Sequence, residues 1–160
     1  MKLLTLLICL ISFNLFSQNQ VPRVQLKDLN GNTFFTDSLG FDGPIVFSFW
    51  ATWCAPCKRE LNTIYENYEE WQSETGVTLV AVAIDDQKTI NSVPVYVNGK
   101  GWEYLVLLDP NGDFKRAMGV NNVPHTFLVD KSGNIVYTHN NYAPGDEEKL
   151  YEEIKKLNND

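Results

Sequence analysis

The sequence predicts an α/β fold in which helices flank a mixed β-sheet, giving a three-layer sandwich with an N-terminal β-hairpin. Strand-like apolar runs alternate along the chain with segments of helical periodicity. The last two strand-like runs follow one another with no helix between them, which favours an antiparallel pair at that side of the sheet. No repeat, low-complexity stretch or internal linker divides the chain. We therefore expect one domain over residues 22–158.

The first predicted elements are a hairpin and a central strand. Residues 24–29 and 33–36 are strand-like runs on either side of Asn30-Gly31, a dipeptide typical of hairpin turns. Residues 45–50 are apolar and aromatic apart from one serine. Such a run is typical of a strand in the middle of a sheet.

Helical periodicity begins after this strand. Over residues 56–75 the large apolar side chains share one stripe, and Gly76 ends the predicted helix. Residues 77–84 are almost all aliphatic, which is typical of a strand covered on both faces. We interpret the stripe as core; it consists of Leu61, Ile64, Tyr65, Tyr68 and Trp71.

The second half of the chain continues the alternation. Residues 85–102 are ambiguous because Pro94 interrupts them, and we prefer a helix that begins near Thr89 and ends at Asn98-Gly99. The remaining elements are a strand over 104–108, a short helix over 114–118, strands over 126–130 and 134–139, and an amphipathic helix over 146–157.

The charge balance argues against one class of partner. The chain has 13 lysines and arginines against 20 acidic residues, a formal net charge of −7, and no basic run. A nucleic-acid phosphate backbone would be repelled, so we expect no nucleic-acid binding.

The N-terminus has the pattern of a secretory signal peptide. Lys2 precedes the apolar residues 3–11, and the chain becomes polar from Ser12 onward. The apolar run is shorter than the roughly 20 residues that a membrane-spanning helix needs. We expect residues 1–18 to be cleaved, and the mature protein to be soluble and periplasmic. A retained membrane anchor is the less favoured alternative.

Two cysteines remain once the leader, which contains Cys9, is removed. Cys54 and Cys57 would close a loop too short for their disulfide to stabilise the fold much, so we interpret the pair as chemistry. A structural zinc site needs about four ligands, and only two unpaired histidines remain. Covalent haem attachment needs a histidine directly after the second cysteine, where Lys58 stands. We expect neither a metal nor an organic cofactor.

Cys54 lies where the central strand ends and the predicted helix begins. Free backbone N–H groups and the positive end of the helix dipole favour a thiolate there. Cys57 follows one turn later, and Pro56 is tolerated in a first turn. We predict a dithiol–disulfide cycle in which Cys54 is the nucleophile and Cys57 is the resolving thiol.

Residues 49–58, Phe-Trp-Ala-Thr-Trp-Cys-Ala-Pro-Cys-Lys, resemble the active-site motif of the thioredoxin superfamily. The Trp-x-x-Trp-Cys context and the leader resemble its exported TlpA/ResA-like branch. The resemblance covers about residues 22–157, and over residues 119–130 it places Pro124 at the position of the family's cis-proline. It implies a thioredoxin-like fold and a thiol–disulfide oxidoreductase.

The resemblance also implies roles for further residues. Pro124 would face the cysteine loop and help to dock an extended substrate chain. Glu60 matches a glutamate of ResA-like proteins that would exchange a proton with the resolving thiol; the alternative is a first-turn glutamate favoured by the helix dipole. Ser48 replaces the buried aspartate of thioredoxins, so we do not expect their proton relay. The predicted substrate-contacting residues are Trp53, Pro56, Val123, Pro124 and His125.

The preferred function is a periplasmic disulfide reductase or exchanger for protein substrates, which we expect to be a monomer. The resemblance implies apocytochrome c, during cytochrome c maturation, as a possible substrate and a membrane thiol carrier as electron donor.

Three alternatives stay open. The same cycle in reverse would make the protein a dithiol oxidase. A thiol peroxidase of the peroxiredoxin type would carry threonine three residues before its cysteine, whereas Thr52 is two before Cys54. A binding module without catalysis would usually lack one cysteine. Elsewhere, we interpret Asp85-Asp86 as a solvated loop in preference to a metal site.

Overall fold

The computed structural model of the protein describes residues 20–157, and the predicted signal peptide lies outside them. Within this range one seven-stranded sheet is flanked by four helices, which confirms the predicted α/β fold. None of these helices is long and apolar enough to cross a membrane. The elements are β1 Gln25–Asp28, β2 Thr33–Phe35, β3 Ile45–Trp50, α1 Ala55–Thr75, β4 Thr78–Ala83, α2 Ser92–Lys100, β5 Leu105–Leu108, α3 Asp113–Ala117, β6 His125–Val129, β7 Ile135–Asn140 and α4 Asp146–Lys156.

The strands lie in the order β2-β1-β5-β4-β3-β6-β7. Strands β3, β4 and β5 are parallel, and β6 and β7 continue the sheet in antiparallel pairs, as the sequence predicts. The predicted hairpin of β1 and β2 extends the other edge through an antiparallel pair of β1 with β5. Because β3 runs antiparallel to β6, the end of β3 lies beside the start of β6.

Alternate residues of β3 divide the core between the two faces of the sheet. Val46 and Trp50 lie in the cluster formed with α1, α2 and α4. Phe47 and Phe49 lie in the opposite cluster, where each ring centroid is 5.2 Å from that of Phe114 on α3. Each buried side chain of this size contributes about 1.5–3 kcal/mol, so burial on both faces accounts for the continuous apolar run of β3.

The ambiguous segment after β4 forms a turn followed by helix α2. Asp86 accepts hydrogen bonds from the backbone N–H of Lys88 at 2.9 Å and of Thr89 at 3.3 Å, and this turn delays the helix beyond its predicted start. Pro94 lies in the first helical turn, where it is tolerated. The predicted end at Asn98-Gly99 is wrong, because the helix continues to Lys100 and is capped by Gly101 at φ 66°.

We expect alanine to have opposite effects at Gly43 and Gly99. A Cβ at Gly43 would stand 2.0 Å from the carbonyl oxygen of Gly76, whereas a Cβ at Gly99 meets nothing within 4 Å. Gly43→Ala should therefore lower the free energy of unfolding by about 1–3 kcal/mol. Gly99→Ala, in the interior of α2, should raise it by up to about 1 kcal/mol. Urea unfolding measures both, and a stabilised Gly43→Ala would contradict the close approach.

Candidate active site

Cys54 and Cys57 form a disulfide at the start of α1, with their Cα atoms 5.4 Å apart. Strand β3 ends at Trp50, and the Cys54 N–H donates to the carbonyl oxygen of Ala51 at 3.0 Å to close the turn that follows. Cys54 is the N-cap of α1, and its Sγ accepts a hydrogen bond from the Cys57 N–H at 3.3 Å. The sulfur therefore takes the place of a capping oxygen. Negative charge on it is stabilised by the helix start.

The two sulfurs differ in their access to solvent. Cys54 is 5% exposed and Cys57 is 0% exposed, so the order of exposure is the predicted one although both are buried. Trp53 beside them is 62% exposed, and Pro56 is half-buried. Of the two sulfurs, only that of Cys54 is therefore in a residue that solvent reaches, and Cys57 is shielded.

A buried carboxyl holds the loop before Cys54. Asp85 is 0% exposed, and its two oxygens accept hydrogen bonds from the Thr52 N–H at 2.9 Å and the Thr52 hydroxyl at 2.5 Å. The solvated-loop interpretation is thus wrong for Asp85 and correct for the exposed Asp86. Parallel strands β3 and β4 end at the same edge, which brings an acid after β4 to a loop after β3. The Thr52 hydroxyl donates its hydrogen bond to Asp85. Thr52 therefore gives no support to the peroxidase alternative, in which a threonine hydroxyl serves the peroxidatic cysteine.

The start of β6 lies at the same edge. Phe49 pairs with His125, so the residues just before β6 lie level with the loop that carries the cysteines. The Val123–Pro124 peptide bond is cis, as the resemblance implies. Pro124 is buried, and Val123 is half-buried against both core clusters.

His125 turns away from α1. Its ring stacks on Phe127 with centroids 4.3 Å apart, and its Nε2 lies 3.0 Å from the Thr138 hydroxyl. Burial, with a smaller effect of His139, lowers the pKa of His125 and keeps the ring neutral. Its place at the start of β6 is near the cysteine loop, but its side chain lies on the face of the sheet opposite Cys57.

Glu60 lies on α1, one turn after Cys57, and is only 3% exposed. It is beyond the first turn of α1, so its interpretation as a first-turn glutamate favoured by the helix dipole is wrong. The Thr126 hydroxyl donates to Glu60 Oε1 at 2.9 Å. Glu60 is one turn after Cys57 on the same face, and helical side chains tilt toward the N-terminus. The carboxyl group therefore belongs to the side of α1 that also carries Cys57.

Burial dominates the ionisation of Glu60. Desolvation raises its pKa to about 7, and the charges of Asp146 and Glu147 on α4 add to this. The hydrogen bond from Thr126 opposes the shift. Ser48 also faces the carboxyl and lowers its pKa slightly, although no hydrogen bond of normal geometry joins them. A carboxyl with this pKa both accepts and returns a proton near neutral pH.

The sequence predicted the cysteines, Pro124 and Glu60 as site residues, but it gave no role to Thr52, Asp85 and Thr126, which the structure places beside them. The only local signal for Asp85 was an acid at the end of an aliphatic strand. For Thr126, the signal was a polar residue placed among apolar ones just after Pro124.

Comparisons with known proteins agree with this geometry. The profile of the Redoxin family matches residues 16–154. The thiol-disulfide oxidoreductase ResA of Bacillus subtilis (strain 168) is 28% identical over 145 residues, which cover 84% of this chain and 79% of that protein. A solved thioredoxin-like protein from Porphyromonas gingivalis is 48% identical, with a TM-score of 0.77 over 87% of this chain and 92% of its own. A candidate thiol:disulfide interchange protein DsbE from Chlorobium tepidum has a TM-score of 0.73 at 26% identity, over 87% and 95% of the two chains.

We expect the ionisation of the buried Glu60 carboxyl to make the free energy of unfolding depend on pH. Its pKa rises from 4.5 to about 7 on folding. Its contribution to the free energy of unfolding is thus fully present below about pH 4.5 and is lost as the pH rises to about 7. Relative to Glu60→Gln, the oxidised wild-type protein should lose a few kcal/mol over this range, since each unit of pKa difference is worth about 1.4 kcal/mol.

Urea unfolding at several pH values measures this difference. Glu66→Gln, which replaces an exposed glutamate on the same helix, is the matched control. If the free energies of unfolding of the wild-type protein and of Glu60→Gln changed in parallel between about pH 4.5 and about pH 7, Glu60 would have an ordinary pKa in the folded protein.

Proposed function

Since this chain belongs to the Redoxin family, and within the thioredoxin superfamily to the ResA-like branch of thiol–disulfide oxidoreductases, we propose that it reduces disulfides in protein substrates. The observation that carries this proposal is the buried carboxyl of Glu60, which lies one helical turn after the resolving cysteine on α1. A buried negative charge near Cys57 disfavours a thiolate there. Strong dithiol oxidants owe their potential to a stabilised reduced form, so this carboxyl favours a reductant.

The proposed cycle begins when the Cys54 thiolate attacks one sulfur of the substrate disulfide. This forms a mixed disulfide and releases the other substrate sulfur as a thiolate, which takes up a proton from water. Cys57 then gives its proton to the ionised Glu60 carboxyl, and its thiolate attacks Cys54 Sγ. The second substrate sulfur leaves as a thiolate and is protonated in turn. The substrate gains two electrons, and the protein is left with the Cys54–Cys57 disulfide.

Substrate docking is proposed along the edge formed by the cysteine loop and the start of β6. The exposed Trp53 ring and the half-buried Pro56 border Cys54, and Val123 and Pro124 lie level with them. Because the His125 side chain stacks on Phe127, we assign His125 a backbone contact only.

The setting of this reaction is also a proposal. The leader pattern over residues 1–18 supports export of a domain over residues 22–158 to the periplasm, and the N-terminus of the exported protein checks it. The resemblance to ResA-like proteins supports apocytochrome c as a substrate and a membrane thiol carrier as electron donor.

The order of attack is tested by trapping the mixed disulfide. The probe is a peptide with a disulfide between the cysteines of a Cys-x-x-Cys-His segment. Cys57→Ser should accumulate a stable adduct on Cys54, because no thiol resolves it. Cys54→Ser should form almost none, because Cys57 is 0% exposed. Mass spectrometry identifies the adduct. Comparable trapping by the two variants would contradict the assigned roles, and trapping by Cys54→Ser alone would reverse them.

The direction of the reaction is tested by the equilibrium reduction potential of the Cys54–Cys57 pair in a thiol buffer. We expect roughly −270 mV or lower, as in thioredoxin. A value close to the roughly −120 mV of DsbA would instead make the protein a dithiol oxidase.

A further inference from the structure

The hydrogen bond between Thr126 and Glu60 joins two parts of the site that are 66 residues apart in sequence. Thr126 is 1% exposed and lies two residues beyond Pro124, in the segment assigned to substrate docking. Glu60 lies one turn beyond Cys57 on α1. One hydroxyl therefore connects the docking segment with the carboxyl one turn beyond the resolving cysteine.

The pairing of the strands fixes where this hydroxyl points. Ser48 on β3 and His139 on β7 lie directly opposite Thr126, so the three side chains share one face of the sheet. Glu60 covers this face from α1. Ser48 Oγ and Glu60 Oε2 are buried, and neither has a hydrogen-bond partner among the described residues. Thr126 thus holds one carboxyl oxygen in place and leaves the other unpaired.

We propose that Thr126 is a positioning residue, whose hydroxyl fixes the Glu60 carboxyl one helical turn from Cys57 and so links proton exchange at Cys57 to the segment that docks the substrate. This inference rests on the proposed function, because it takes Glu60 as the group that exchanges the proton.

The hydroxyl acts on Glu60 in a definite direction. A donated hydrogen bond stabilises the ionised carboxyl, so it opposes burial and keeps the group able to accept a proton. Without the hydroxyl, the carboxyl becomes harder to ionise and a poorer acceptor at neutral pH. Movement of the docking segment acts on the same bond, because Thr126 belongs to the strand that begins directly after Pro124.

Other titratable groups face Glu60, and all of them remain when only Thr126 is changed. Asp146 and Glu147 on α4 raise the pKa of Glu60. Three tyrosines from other elements interact with its charge, and His139 contacts Asp146 at 3.1 Å. These tyrosines are Tyr104, Tyr137 and Tyr142. A shift in Glu60 ionisation on removal of the Thr126 hydroxyl is therefore assigned to that hydroxyl.

The experiment compares Thr126→Val, which keeps the shape but loses the hydroxyl, with Thr126→Ser, which keeps the hydroxyl. The Glu60 carboxyl is titrated by carbon NMR in the full oxidised protein, and the pH profile of peptide-disulfide reduction is measured beside it. Thr126→Val should move both midpoints up by about one pH unit, and Thr126→Ser should stay close to wild type. Thr126→Ala gives the same readout if the valine variant does not fold.

An unchanged Glu60 titration in the variants without the hydroxyl would overturn the inference. An equal shift in Thr126→Ser would also overturn it, because packing and not the hydroxyl would be responsible. Glu60→Gln separates this result from the proposed function: if it leaves the pH profile of reduction unchanged, Glu60 is not the proton acceptor. The carboxyl titration still decides whether Thr126 positions it.

Discussion

The antiparallel pairing of β3 with β6 is the constraint on which this active site depends. Its register places Phe49 opposite His125 and Ser48 opposite Thr126. The first pair brings the cysteine loop and Pro124 to one edge of the sheet, and the second places two hydroxyls beneath Glu60. A slip of one residue would turn Thr126 to the opposite face and leave Glu60 without its donor. Both strands are buried on both faces, and each face of the sheet has its own core cluster.

Two opposing electrostatic effects then separate the roles of the cysteines. At Cys54, the start of α1 supplies an N–H donor and the positive end of the helix dipole, both of which stabilise a thiolate. One turn beyond Cys57, the buried carboxyl of Glu60 disfavours further negative charge while it is ionised, and in the proposed cycle it accepts the proton of Cys57. The proposed nucleophile is thus the N-cap of the helix that also carries the proposed proton acceptor.

The parts of this structure that the sequence predicted are those with a local signal. Period-two and helical patterns located nearly every element, and the Cys-x-x-Cys motif located the two cysteines that form the disulfide. Asp85 and Thr126 were missed because their partners lie 33 and 66 residues away. The sequence also did not show on which face of the sheet the His125 ring lies. Strand alternation assigns residues to two faces, but it does not tell which face is covered by the helix that carries Cys57. At α2 the side chain of Asp86 overrode the helical pattern with a turn.

Two buried polar side chains of the site, Ser48 and Glu60, lower the stability of the fold. Within residues 20–157, Ser48 Oγ and Glu60 Oε2 are buried and have no hydrogen-bond partner, and an unsatisfied buried polar group typically costs about 1–3 kcal/mol. Apolar side chains at these positions would fill the same layer and stabilise it, since Trp50 already packs against Trp102 there with ring centroids 5.1 Å apart. They would also remove the buried carboxyl that lies one helical turn from Cys57. In the proposed cycle this carboxyl exchanges the proton of Cys57, so part of the stability given up in this layer serves the proposed chemistry.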